Sequence, residues 1–295
     1  MIHGPDQEAE LTEEEFRLLR ELVHERFGLY FEDAQRGTLR SRLLGRLAPL
    51  DLLSFEDYYH YLRFGPRRKE ELQRMICHLT NNETYFFREM PQLQVFADPL
   101  LRRIKEAKSA AGERKLRVLS AGCSTGEEAY TLAMVLWDSG HFFWNWDVKV
   151  TGMDVDTDAL EKARRAVYYR NSFRTMSPEV VERHFLAQAG GGFQVKEAVR
   201  RLVELRHGNL VEPASYEGLG ALDVIFCRNV LSYFSDAMIL RVVRTFQEAL
   251  APGGYLFLGH AESLSRITDL FTPIRFQGAM VYQKALRPGA AREAP

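Results

Sequence analysis

Apolar residues recur along this chain with two different spacings, and the change of spacing divides it. From residue 12 to 79 the period is that of amphipathic helices. Phe16, Leu19, Val23 and Phe27 mark one face of a first helix, with Thr12 and Glu15 forming a capping box before it and Gly28 ending it. The spacing predicts a second helix over 33–47, with Leu39, Leu43 and Leu47 inward. A third is predicted over 54–63, capped by Ser54, with Phe55, Tyr58, Tyr59 and Leu62 facing the core. Pro66 starts a fourth, whose apolar face is Leu72, Met75, Ile76 and Leu79. Beyond the polar stretch 80–89, a helix resumes at Pro91 with Leu93, Val95, Phe96 and Leu100.

After residue 115 short apolar runs alternate with helical patterns. Leu116, Val118 and Leu119 read as a buried parallel strand, followed by a turn of small residues and a helix carrying Tyr130, Met134 and Trp137 at i, i+4, i+7. Residues 147–153 read as the second strand, and Asp156 or Thr157 caps a helix over 158–167. Residues 202–205 and 222–229 are further strands. A helix over 236–250 is closed by Pro252, Gly253 and Gly254, a strand follows over 255–260, and Phe276 with Met280–Tyr282 suggests a closing antiparallel pair. This alternation predicts an α/β fold with a doubly wound parallel sheet. Residues 168–200 break it, and read as a small inserted subdomain with β character. The expected organisation is a helical domain over 1–88 and an α/β domain over 89–295, with a loose terminus over 1–10 and a disordered tail over 286–295.

Composition adds mainly exclusions. With 46% hydrophobic and 27% charged residues the chain is of ordinary globular type. A formal charge of −1 predicts no general affinity for nucleic acid or anionic membrane. No apolar run reaches membrane-spanning length, and the acidic N-terminus is not a signal peptide. Cys77, Cys123 and Cys227 have neither zinc nor disulfide spacing, so a reducing cytoplasm is the default. No H-E-x-x-H pattern occurs, and no metal site is expected. One local charge excess stands out: Arg36, Arg40, Arg42 and Arg46 fall in eleven residues without an intervening acid. They read either as a solvated helix face or as an electrostatic docking face for an acidic partner.

Candidate chemistry centres on the first strand–turn–helix, Ser120-Ala-Gly-Cys-Ser-Thr-Gly-Glu-Glu-Ala-Tyr130. Gly122 and Gly126 make a G-x-x-x-G turn, not the dinucleotide G-x-G-x-x-G. Glu127 and Glu128 sit in the first helical turn, where they would repel a pyrophosphate and suit a ligand bearing positive charge, such as S-adenosylmethionine; equally, they can serve only the helix dipole. Asp154, at the end of the second strand, can accept both ribose hydroxyls or act as a cap. The polar and aromatic stretch 79–89 joins the two halves, where ligand clefts tend to form.

Four stretches together, Asn81-Asn-Glu-Thr-Tyr-Phe-Phe-Arg88, Ser120–Tyr130, Phe226-Cys-Arg-Asn-Val-Leu-Ser-Tyr-Phe234 and Gly259-His-Ala-Glu-Ser263, give the chain a resemblance to the CheR family of chemotaxis-receptor glutamate methyltransferases. It covers essentially everything but the tails. The resemblance implies a Rossmann-like S-adenosylmethionine-dependent methyltransferase domain with a β-subdomain insertion, preceded by an all-helical domain. It also implies glutamate methyl-ester formation on cytoplasmic receptor helices, with S-adenosylhomocysteine as product. By motif position, cofactor contacts fall on Asn82, Thr84, Arg88, Gly122, Glu128, Asp154, Asn209, Leu210, Arg228 and Asn229. Arg88 and Tyr233 match positions associated with the reacting carboxylate. Arg36, Arg40, Arg42 and Arg46 become candidates for receptor docking, and the 168–200 insertion for holding a receptor C-terminal peptide. Cys123 and Ser124 depart from the small alanine-like residues other members can carry. Competing expectations are a small-molecule methyltransferase, a non-catalytic cofactor-binding adaptor and, remotely, an NAD-dependent dehydrogenase. A monomer is the default.

Overall fold

The computed structural model describes residues 9–142 and 144–286. The expected loose N-terminus, up to residue 8, and disordered C-terminal tail, from residue 287, lie outside them. Four helices come first: α1 (Glu13–Phe27), α2 (Arg36–Leu43), α3 (Phe55–Phe64) and α4 (Arg68–Leu79). Thr12 and Glu15 close a capping box on α1, Gly28 ends it at φ +80°, and Ser54 caps α3. Leu19, Val23, Leu39, Leu43, Phe55, Tyr58, Met75 and Ile76 form their common core. The helix expected over 33–47 is shorter. Residues 33–35 and 44–46 are 3-10 turns around α2, consistent with the weak helix propensity of Gly45 and Pro49 just beyond.

Two short helices, α5 (Met90–Val95) and α6 (Leu101–Ala110), lead into β1 (Lys115–Ala121), α7 (Glu127–Ser139), β2 (Asp147–Asp154) and α8 (Thr157–Arg165). The expected domain boundary after residue 88 falls in the segment between α4 and α5. The insertion contains β3 (Val167–Tyr168), α9 (Pro178–His184), β4 (Phe185–Ala187), β5 (Phe193–Val195) and α10 (Glu197–Arg200). Its three strands pair antiparallel in the order β3-β5-β4. The chain then returns through β6 (Val203–His207), β7 (Leu222–Cys227), α11 (Asp236–Ala249), β8 (Leu250–Leu258) and the hairpin β9 (Phe271–Phe276) and β10 (Ala279–Lys284).

The main sheet runs β6-β2-β1-β7-β8-β10-β9, parallel from β6 through β8 and closed by the antiparallel hairpin. Chain order reverses between β1 and β7, so the crevice beyond their carboxyl ends is the topological switch point. Two details differ from the sequence pattern. Trp137 is 42% exposed; Tyr130, Ala133 and Met134 carry the buried face of α7. No linker follows α11: β8 begins at Leu250, and Pro252–Gly254 lie within the strand at a register shift.

Candidate functional site

The first loop of the site is shaped by what its residues can tolerate. β1 ends at Ala121 and Gly122 turns the chain at φ +78°, where a Cβ would meet Val230 Cγ2 at 2.5 Å. The amides of Gly122 and Cys123 donate to Met153 O at 2.8 and 3.0 Å, and the amide of Ser124 donates to Asp154 Oδ2 at 2.6 Å. This places the start of α7 and the end of β2 on one crevice. Cys123 is buried, and the Ser124 hydroxyl donates to Asn82 Oδ1 at 2.7 Å, a bond an alanine there would not make.

Asp154 is buried, and its Oδ1 accepts from the Asp156 amide at 2.8 Å. Burial pushes its carboxyl up to about 6, against the opposing pull of these backbone donors. Asp156 behaves oppositely. Burial would raise it, but hydrogen bonds from the Ala159 amide, Asn82 and Thr80 outweigh burial and hold it below the ordinary carboxylate range. Asp156 caps α8 through the amides of Asp158 and Ala159, and also accepts from Thr80 Oγ1 and Asn82 Nδ2, each at 2.7 Å. One carboxylate therefore fastens the linker after α4 to the α/β domain.

The two glutamates at the start of α7 diverge. Glu128 faces the crevice, accepts from Ser120 Oγ at 2.7 Å and pairs with Arg228 Nε at 2.7 Å. Glu127 turns towards the insertion, accepting from Thr125 and from Ser172 at 2.9 Å, and burial raises its carboxyl. Of the two, only Glu128 lines the cleft. Arg228 also donates to the Arg88 carbonyl at 2.7 Å, which fixes the linker's far end against the sheet.

A single cleft between the helical and α/β domains collects the predicted residues. Asn82, Thr84 and Arg88 line it from the linker; Gly122, Glu128 and Asp154 line it from the first half of the sheet. Asn209, Leu210, Arg228, Asn229 and Tyr233 line it from the second half. Some are already engaged. The Asn82 carboxamide is held at both ends, and Asn209 Nδ2 donates to Arg26 O at 2.7 Å across the domain interface. Asn229, at φ +59°, keeps a buried Oδ1 without a protein partner. Arg88 reaches Glu83 O at 3.2 Å and lies over the Tyr85 ring. Tyr233 is 42% exposed, and its hydroxyl accepts from Asn81 Nδ2 at 3.1 Å, which leaves the phenol proton to donate. Asn81 was not singled out by sequence, although it opens the stretch that holds Asn82.

The arginine group separates. Arg36 is exposed, and Arg40 Nε donates to Ala9 O at 3.0 Å. Arg42 donates to Leu79 O and lines the cleft. Arg46 is a correction: it is buried and pairs with Glu71 through Nε at 2.9 Å and Nη2 at 2.8 Å, so it offers no docking face. Sequence periodicity could not show this, because the partner lies on α4, 25 residues away.

The donor set suits an S-adenosylmethionine-like ligand. Carboxylates from Glu128 and Asp154 and the unpartnered Asn229 Oδ1 offer acceptors to a cationic, hydroxyl-bearing molecule. The family model of the CheR methyltransferase SAM binding domain matches residues 82–280, and that of the CheR methyltransferase all-alpha domain matches residues 14–80. Chemotaxis protein methyltransferase 2 of Vibrio cholerae serotype O1 is 37% identical over 277 residues, 94% of this chain and 95% of the relative. The Escherichia coli K12 chemotaxis protein methyltransferase is 35% identical over 276 residues, 92% of this chain and 91% of the relative. Chemotaxis protein methyltransferase 2 of Pseudomonas aeruginosa is 35% identical over 283 residues, 95% and 96% respectively. With both family models matched in order and these relatives aligned along nearly its whole length, the chain belongs to the CheR methyltransferase family and is an S-adenosylmethionine-dependent methyltransferase.

Proposed function

We propose that this protein methylates glutamate side chains on the cytoplasmic helices of chemoreceptors, and acts in the cytoplasm as a monomer. The observation that carries the reading is the division of charge in the cleft: carboxylates of Glu128 and Asp154 on the sheet side, Arg88 and the Tyr233 hydroxyl on the linker and β7-loop side. When bound, S-adenosylmethionine supplies an electrophilic methyl group beside a cationic sulfur. Asp154 is assigned the ribose, through the lone pairs its two backbone donors leave open. Glu128, the Gly122 turn and Asn229 hold the rest, together with Asn82, Thr84, Asn209, Leu210 and Arg228.

A substrate glutamate, with a pKa of about 4.3, is already ionised at neutral pH, so no general base is required. The work of the protein is to position that carboxylate and exclude water. Tyr233 donates one hydrogen bond to it. Arg88 orients it without a buried ion pair, which would blunt the nucleophile. Arg36, Arg40 and Arg42 face the incoming receptor, and β3 and β4, the outer strands of the small sheet among the described residues, are suited to taking a receptor C-terminal peptide as an added strand. No helix among the described residues is long and apolar enough to cross a membrane.

The test is transfer of labelled methyl from S-adenosylmethionine to a receptor cytoplasmic fragment. The expected product is label on glutamate that mild alkali releases. Cofactor binding with no label on any receptor fragment overturns the substrate, and no cofactor binding overturns the site.

A further inference from the structure

The loop after β7 carries Arg228, Asn229 and Tyr233; its far end is tied by the Tyr30 amide donating to Tyr233 O at 2.8 Å, but neither an α-helix nor the main sheet holds the backbone before it. Asn229 sits at φ +59°, a left-handed conformation that a side chain disfavours unless its surroundings impose it. A short 3-10 turn, Leu231–Tyr233, follows. The amides of Asn229 and Ser232 lie outside any regular pairing and need acceptors.

Both find the same one. Glu262, in the loop after β8, accepts from Asn229 N at 2.9 Å and Gly259 N at 2.7 Å through Oε2, and from Ser232 N at 3.1 Å through Oε1. One carboxylate gathers three backbone donors from two strand-end loops. The space is built for it: a Cβ on Gly259 would come within 2.9 Å of Asn229 N, Asn229 Nδ2 and Glu262 Oε2. Glu262 does not line the cleft; it opens on the neighbouring surface hollow with Ser232 and Asp236. Its contacts to this loop are backbone contacts at both ends of the segment that precedes Tyr233.

We propose that Glu262 is a positioning residue for methyl transfer, fixing the Asn229–Tyr233 loop so that the Asn229 side chain and the Tyr233 hydroxyl face the cleft together. The charge makes the acceptor stronger than a neutral one, and two oxygens allow the two ends of the turn to be held at a fixed separation. The assignment rests on the cleft being the cofactor and carboxylate site.

The experiment is a double-mutant cycle on kcat. Wild-type binding of S-adenosylhomocysteine and turnover of a receptor fragment are measured first, and their absence defeats the site reading rather than the role of Glu262. Thermal unfolding confirms that each variant is folded at the assay temperature. Glu262→Ala should then lower kcat by about 10- to 100-fold, because small misplacement of reacting groups is costly. KM for the receptor fragment should change by less than about threefold, since Tyr233 gives the substrate a single hydrogen bond and docking is assigned to the arginines of the helical domain. Tyr233→Phe added to Glu262→Ala should cost much less than the product of the two single losses, the coupling expected when one residue acts through the other. A variant that merely weakened the fold would leave the two losses multiplicative. Glu262→Gln keeps one acceptor oxygen and should fall between wild type and Glu262→Ala; it carries the cycle where the alanine variant does not fold. Wild-type kcat in the glutamine and alanine variants, or fully multiplicative losses, overturns the proposal.

Discussion

Arg46 and Arg228 are both buried and each is held by a glutamate, Glu71 in the helical domain and Glu128 beneath the cleft. Around Glu71 the network closes on itself: Arg46 takes both oxygens and the Tyr58 hydroxyl adds a bond at 2.8 Å, all inside one packed core. Around Glu128 it stays open. One oxygen goes to Arg228 and the other to Ser120, while Arg228 spends a second donor on the backbone beside Arg88, and both charged groups line the cleft. The same residue pair thus sits within a packed core in one place and on the wall of the cleft in the other. What separates them is that Arg228 also ties the backbone carbonyl of Arg88, and that one side of its pair meets the cleft.

The comparison predicts opposite consequences for apolar replacement. Arg46→Ala leaves Glu71 buried without its cation and should lower unfolding free energy by about 3–5 kcal/mol in urea denaturation, with kcat per folded molecule unchanged. Replacing all three partners together, Arg46→Met, Glu71→Leu and Tyr58→Phe, should restore most of that loss, since a well-packed apolar cluster often matches a buried ion pair. At the cleft the equivalent exchange, Arg228→Met with Glu128→Leu, should preserve the fold but weaken S-adenosylhomocysteine binding by roughly 100-fold in calorimetry, the cost of losing charged hydrogen-bonding partners in a buried site. If both exchanges leave function intact, the distinction between the two networks collapses.

Acidity sharpens the contrast. In the closed network both Arg46 and Tyr58 are held above their usual values, so neither titrates near neutrality. In the cleft Asp154 is raised from 3.8 to about 6, chiefly by burial. The folded protein therefore binds this proton more tightly than the unfolded chain. Its contribution to stability grows as pH falls from about 6 towards 4, and is lost as pH rises through the folded value. If Asp154 holds the ribose as proposed, cofactor affinity should run the other way, because protonation removes the charge and turns one acceptor oxygen into a donor. We expect S-adenosylhomocysteine affinity to fall about tenfold between pH 7 and pH 5, and Asp154→Asn to abolish most of that slope. A slope unchanged by Asp154→Asn would place the titrating group elsewhere.

The sequence carried the fold a long way because its main features are local. The capping box at Thr12, the Gly28 stop, the strand–turn–helix at Gly122 and the hairpin near Met280 each depend on neighbours within a few residues. The cleft was legible as a set of motifs, and its predicted residues converge on it. What stayed hidden is long-range pairing. Nothing near Arg46 announces Glu71, nothing near Asp156 announces Thr80 and Asn82, and nothing near Glu262 announces the amide of Asn229. Glu127 and Glu128 are adjacent with the same charge, yet helix geometry turns one to the insertion and the other to the cleft.

The smallest expected effect concerns the remaining arginines, and it tests whether exposure rather than sequence proximity sorts them. Arg36 is exposed at the start of α2, whereas Arg42 and Arg40 each donate to backbone carbonyls. An exposed charge acts through the field it presents to a partner, so Arg36→Glu should raise KM for an acidic receptor fragment by about 3- to 10-fold at low salt, with kcat unchanged. The difference should fade above about 0.5 M salt, where screening reaches only a few ångströms. Arg46→Ala, measured on the folded fraction, should show no such salt-dependent shift, because its charge is neutralised inside the domain by Glu71. A salt-sensitive KM for Arg46→Ala with none for Arg36→Glu would mean that the docking field comes from the domain's interior charges, and the division between closed and open networks would fail at its first member.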